Sequence, residues 1–195
     1  MSVAHRSLTL ADVALPRAGA VHNVLLVLAA SLVTAAAAQV EIRLPWTPVP
    51  VSGQTFAVLL AGTVLGARRA FLAQALYLCE GACGAPFFAG GAGGVLPLLG
   101  PSGGYLLAFP FAALVTGALA GRAWDRRPVT MFLTMLAGSV VIFSAGLAQL
   151  SRFVPAGGLL AAGLLPFVAG DVLKCALAAG LTPAIWKWLG RSEAR

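Results

Sequence analysis

Residues 81–121 carry no charged side chain, yet their middle, "GAPFFAGGAGGVLPLLGPSGG" at residues 84–104, holds too much Gly and Pro for a regular helix. Two apolar runs joined by a loop without charge do not suit a domain whose turns face water. Non-helical backbone at membrane depth is tolerated only where protein buries it or where it lines a cavity. The stretch therefore predicts two membrane helices joined by a re-entrant loop, or by a lid folded back over a pocket. The rest of the chain agrees: of 195 residues 59% are hydrophobic and 10% charged, against roughly 25% charged in soluble domains. One all-α membrane domain over residues 1–195 is the simplest arrangement.

A spanning helix needs about 20 apolar residues. Six candidate spans follow, at residues 19–40, 54–67, 70–84, 105–121, 129–150 and 166–186, with a half-helix at 159–165. Glu41, Arg43 and the prolines of "PWTPVPVSGQ" (Pro45, Pro48, Pro50) separate the first two. Arg68 and Arg69, "RAWDRR" and "SRFVPAGG" mark later breaks, and Trp186, Lys187 and Trp188 read as an interfacial anchor. Residues 1–18, with His5, Arg6, Asp12 and Arg17, lack a cleavable-signal pattern and read as a cytoplasmic tail.

With the N-terminus inside, Arg6, Arg17, Arg68, Arg69, Arg122, Arg126, Arg127, Lys187, Arg191 and Arg195 fall on the cytoplasmic side, and only Arg43 and Arg152 outside. Ten against two is the asymmetry of a membrane protein with both ends in the cytoplasm. It explains the net charge of +7 better than nucleic-acid binding, because no basic stretch is interleaved with aromatics. It also puts the Pro-rich and Gly-rich loops together on the outer side.

The last span contains "GDVLK". Asp171 and Lys174, three residues apart, share a helix face. Each charge at a bilayer centre costs about 2.5–3.5 kcal/mol on insertion scales. Two readings account for them: an ion pair locking the helix to its neighbours, or a ligand site offering an acceptor and a donor side by side. The second suits a cyclic urea or amide, and Lys174 alone suits a carboxylate. Gln54 and Tyr105 begin helices facing the same side, and Phe87 and Phe88 are placed to pack a flat ligand. Glu80 is expected to pair with Arg43 or Arg152. Cys79, Cys83 and Cys175 are expected to be buried thiols, since no ligand spacing for zinc surrounds them. No metal or cofactor is expected. The chain has no G-x-x-x-x-G-K-[ST] phosphate loop and no G-x-S-x-G, and its only histidines are His5 and His22.

Four segments, "PWTPVPVSGQTFAVLLAGTVLGARRA", "YLCEGACGAPFFAGGAGG", "GPSGGYLLAF" and "GDVLKCALA", resemble in that order the BioY family, the biotin-binding S components of energy-coupling-factor transporters. The resemblance covers roughly residues 20–190. It implies a six-helix membrane component of the bacterial cytoplasmic membrane that binds biotin from outside under a lid. It implies two kinds of partner, a transmembrane coupling protein and cytoplasmic ATPases. The family's ligand residues fall here on Asp171 and Lys174, on the segment from Pro50 to Gln54, and on Gly103, Gly104 and Tyr105. Its lid falls on about residues 86–94, which include Phe87, Phe88 and Gly91. Small residues spaced by four on the first helix of S components dock on the coupling protein, and here Ala30, Thr34 and Ala38 form such a stripe. The alternatives are an S component for another small heterocyclic vitamin, an intramembrane enzyme using Asp171, Lys174 and Glu80, and a purely structural subunit.

Overall fold

Helices in this chain end where Pro, Gly or Arg interrupts an apolar run, and the computed structural model puts the breaks close to those signals. It describes residues 8–15 and 19–193, with side chains to residue 189. Most of the expected tail, with His5, Arg6 and Arg17, lies outside the described residues, as do the side chain of Arg191 and all of Arg195. In chain order the elements are α1 (Leu10–Ala14), α2 (Ala20–Ala38), β1 (Glu41–Ile42), β2 (Val51–Ser52), α3 (Gln54–Leu65), α4 (Ala67–Ala82), α5 (Leu96–Leu99), α6 (Gly103–Ala120), α7 (Pro128–Leu150), α8 (Leu159–Gly163) and α9 (Leu165–Glu193).

The protein is an all-helical membrane protein. Among the described residues four segments are long and apolar enough to cross a bilayer, namely Ala20–Ala38, Gly103–Ala120, Pro128–Leu150 and Ala156–Leu189. α3 is apolar but has 12 residues, a length of about 18 Å at 1.5 Å per residue. Gly66, at φ +79°, closes α3 and opens α4 in one step. Large apolar side chains such as Leu25, Leu32, Leu72, Phe111, Leu173 and Leu181 stay exposed along the helices, as a lipid-facing surface requires.

α6 is the central element, packed against α3, α4 and α7, while α2 lies on α4 and α9 on α7. Small residues let these helices approach. A Cβ on Gly62 of α3 would stand 2.6 Å from the Ala113 carbonyl oxygen of α6, and one on Gly104 of α6 would stand 2.3 Å from that of Ala145 on α7. In lipid such close packing replaces the hydrophobic drive that water supplies to soluble cores.

The two ends of the bundle are closed differently. At one end β1 and β2 pair antiparallel, Glu41 opposite Ser52 and Ile42 opposite Val51. The segment between α4 and α6 folds back at this same end. At the other end α1 is capped by Thr9, whose hydroxyl accepts from the Asp12 N–H. Asp12 is held by Arg69 at 2.7 Å. Burial alone would raise the Asp12 carboxyl, but the hydrogen bonds from Arg69 and Thr9 outweigh it and keep it below its ordinary value. The Trp186 indole N–H donates to buried Asp125 at 2.6 Å, and Arg126 stacks 4.3 Å from its ring centroid.

Three expectations are corrected. The Ala30–Thr34–Ala38 stripe faces into the protein: Thr34 and Ala38 are fully buried, and the Thr34 hydroxyl accepts from Gln74 of α4. Helix α2 rests this small face on its neighbour, so the stripe is not free to dock a partner. Cys79 and Cys83 are exposed and only Cys175 is buried. The buried face of α4 runs through Ala70, Ala73, Gln74, Tyr77 and Gly81, which turns Cys79 away. Glu80 meets neither Arg43 nor Arg152 but accepts from the Ser31 hydroxyl of α2.

The close approaches make a paired prediction. Gly104→Ala should destabilise the protein in detergent by about 1–3 kcal/mol through overpacking. Gly180→Ala, with nothing within 4 Å of its added Cβ, should be neutral or stabilising by up to about 1 kcal/mol. Thermal unfolding of the two variants beside the parent chain checks both.

Candidate functional site

The hairpin end encloses a cavity of about 510 Å³. Its walls come from the β1–β2 hairpin and its Pro-rich tip, the starts of α3 and α6, the fold-back between α4 and α6, and α7 and α9. Most of that wall is apolar. Phe143, Phe167, Phe109, Phe88 and the Tyr105 ring supply its aromatic surface. Tyr105, Phe143 and Phe167 form a cluster with ring centroids 6.1–6.4 Å apart.

Asp171 and Lys174 both line this cavity, but they do not form the ion pair that one reading proposed. Among the described residues the ion pairs are Arg43–Glu41 and Arg69–Asp12. Lys174 turns instead to the start of α3: its ammonium donates to the Ser52 carbonyl and the Thr55 hydroxyl, each at 2.8 Å. Asp171, 8% exposed, is left facing the cavity. Beside it stands the buried hydroxyl of Ser139 on α7. A carboxylate without a cation of its own is a strong acceptor for a ligand N–H.

The Lys174 contact opens a longer chain of hydrogen bonds. The Ser52 hydroxyl donates to the Gln54 side-chain oxygen at 2.9 Å. The Gln54 amide donates to the Tyr77 hydroxyl, which donates at 3.0 Å to the Phe87 carbonyl in the fold-back. Helix α9 is thus joined to the lid through β2, α3 and α4. Both ends of the Gln54 amide are engaged in this chain. The Tyr105 hydroxyl likewise donates at 2.7 Å to the Gly163 carbonyl at the end of α8, which leaves its ring as the main surface it offers.

The fold-back itself is built on glycine. Gly90 and Gly91 adopt φ +68° and +71°, a conformation that L side chains resist. The turn they form is closed by the Phe88 N–H donating to the Ala92 carbonyl at 2.9 Å. Phe88 plugs down against Tyr77 and Gly81, 1% exposed. Gln149 of α7 pins the other half, donating to the carbonyls of Leu98 and Gly100 at 3.0 and 2.7 Å.

Of the residues expected from sequence, Asp171, Lys174, Gln54, Tyr105 and Phe88 meet at one cavity, while Phe87 and Gly91 are not part of its wall. Phe87 contributes its carbonyl to the network and Gly91 its turn geometry. Ser52 falls within the expected Pro50–Gln54 segment, while Thr55, Tyr77, Phe143 and Phe167 were not anticipated. Phe167 sits one helical turn before Asp171 and was readable from that spacing; Phe143 comes from a distant helix and had no local signal. Among the described residues no group of three His, Cys, Asp or Glu is placed to hold a metal ion.

The fold is that of a known class of membrane component. A solved structure described as the S-component for biotin from an ECF-type ABC transporter superposes with TM-score 0.75 at 24% identity, covering 86% of this chain and 92% of that one. The chain belongs to the BioY family, whose model matches residues 6–191. It is 40% identical over 145 residues to the probable biotin transporter BioY of Pyrococcus horikoshii, spanning 74% of this chain and 84% of that protein. It is 35% identical over 170 residues to the biotin transporter BioY of Rhizobium etli, spanning 83% and 91%. This is a transporter family, so the intramembrane-enzyme alternative falls.

The hydrogen-bond chain gives a prediction. Tyr77→Phe removes the hydroxyl between Gln54 and the Phe87 carbonyl, and should cost about 1–2 kcal/mol of stability. Limited proteolysis should then cut the segment at residues 84–102 faster than in the parent chain.

Proposed function

We propose that this chain binds biotin in the cavity at the hairpin end and serves as the substrate-binding component of an ATP-driven energy-coupling-factor importer. One observation carries the reading. An acceptor and a donor, Asp171 and Lys174, lie on one wall of an otherwise apolar and aromatic cavity, and the acceptor has no cation of its own. A cyclic urea fused to an apolar ring matches that wall: Asp171 accepts a ureido N–H, and the third Lys174 proton is directed to the ureido oxygen. The aromatic rings of Tyr105, Phe143, Phe167 and Phe88 pack the ring system. Gln54 positions the wall rather than reaching the ligand. The volume lies within the range of about 300–1,000 Å³ usual for small-molecule sites. The names of the relatives from Pyrococcus and Rhizobium support biotin as the ligand.

In this reading the chain spans the cytoplasmic membrane six times, with both termini inside and the cavity opening outward. Its support is the charge asymmetry, together with α3 and α4, which extend the four longer segments to six. Partners follow from chemistry the chain lacks. With no phosphate loop, the ATP-driven step belongs to cytoplasmic ATPases, reached through a transmembrane coupling protein that docks on a surface other than the Ala30–Thr34–Ala38 stripe.

The test is a titration of purified protein with labelled biotin. Asp171→Asn and Lys174→Met are each expected to weaken binding by about 10–100-fold, the worth of a hydrogen bond to a charged group. Unchanged affinity in both folded variants would contradict the site. Displacement of biotin by another heterocyclic vitamin at lower concentration would point to the sister specificity.

A further inference from the structure

We infer that Arg43, at the mouth of the cavity, is the specificity-determining residue that receives the carboxylate of the ligand, and that Glu41 positions it. The inference rests on the biotin reading and deepens it.

Four charged residues line the cavity: Glu41, Arg43, Asp171 and Lys174. At the Asp171 wall an anionic group meets a like charge. Lys174 has already committed two of its three N–H groups to Ser52 and Thr55. The other cation is arranged differently. Arg43 spends only its Nε, donating to Glu41 Oε1 at 2.8 Å. Neither Nη group has a hydrogen-bond partner among the described residues. A guanidinium held through Nε keeps the edge that grips a carboxylate with two parallel N–H bonds.

The pair is built into the mouth. The Arg43 side chain is 73% exposed while that of Glu41 is 14% exposed, so the carboxylate sits behind and the cation in front. Among the described residues the second Glu41 oxygen is buried without a hydrogen-bond partner, and the anion is held to the guanidinium by the Nε contact alone. The lid turn rests on this pair. A Cβ on Gly90 would stand 2.2 Å from Arg43 Nη2 and 2.7 Å from Glu41 Oε1, so glycine there gives the cation its place. A ligand with a neutral polar edge at one end and a carboxylate at the other is therefore oriented: the neutral edge goes to Asp171 and Lys174, the carboxylate to Arg43.

The experiment compares biotin with its primary amide, in which the carboxylate becomes a neutral carboxamide, by competition against labelled biotin on the full chain in detergent. The parent chain is expected to bind the amide about 10–100-fold more weakly than biotin. Arg43→Gln is expected to lower biotin affinity to near that of the amide and leave amide binding unchanged. Arg43→Lys should restore part of the preference. Equal affinity of the parent chain for both ligands overturns the assignment, and that comparison needs no variant to fold. An equal loss of both ligands in Arg43→Gln overturns it too, as does a preference erased by Lys174→Met and kept in Arg43→Gln. A parent chain that binds neither compound overturns the biotin reading itself, and the Arg43 assignment with it.

Discussion

Most of this architecture follows from the need to keep Lys174 satisfied inside an apolar bundle. A charged side chain at the centre of a membrane helix costs about 2.5–3.5 kcal/mol on insertion scales. The fold answers with neutral oxygens: the Ser52 carbonyl at the end of β2 and the Thr55 hydroxyl in the first turn of α3. To deliver them, the Pro-rich loop must return onto α9 rather than project into solvent. Pro45, Pro48 and Pro50 keep it out of helix, and the Thr47 hydroxyl ties it to the Ala162 carbonyl at 2.7 Å. The hairpin is therefore held by Lys174 as well as by its own pairing.

This choice of partners has a second effect. Had Lys174 paired with Asp171, the cavity would face a neutralised couple. Satisfying the ammonium elsewhere leaves the Asp171 carboxylate without an ion-pair partner among the described residues, in a site of low dielectric where a hydrogen bond counts for more than in water. The same lysine starts the chain through Ser52, Gln54 and Tyr77 to the Phe87 carbonyl. The wall that meets the ligand and the segment that covers it are thus one connected structure.

The sequence made the elements legible and left their faces hidden. Helix limits stood within a few residues of the Pro, Gly and Arg signals, as at residues 129–150 against Pro128–Leu150. Asp171 and Lys174 were conspicuous because charge is rare in such segments. The direction each helix turns was not readable, because a helix apolar all round shows no periodic face. That is why the Ala30–Thr34–Ala38 stripe was expected free, whereas Cys79 and Cys83 were expected inside from the general burial habit of free cysteine. Strands of two residues, such as Glu41–Ile42, are too short for any alternation to register. Phe143 and Tyr77 reach the site from helices far away in sequence, and only tertiary packing brings them there.

The central claim is that Asp171 and Lys174 hold one neutral polar edge of biotin within this cavity. A structure of the protein determined with biotin bound tests it most directly. The account predicts the ureido group within hydrogen-bonding distance of both side chains, with the ring system against Tyr105, Phe143 and Phe167. Biotin bound outside the cavity, or with its ureido group away from Asp171, would contradict it.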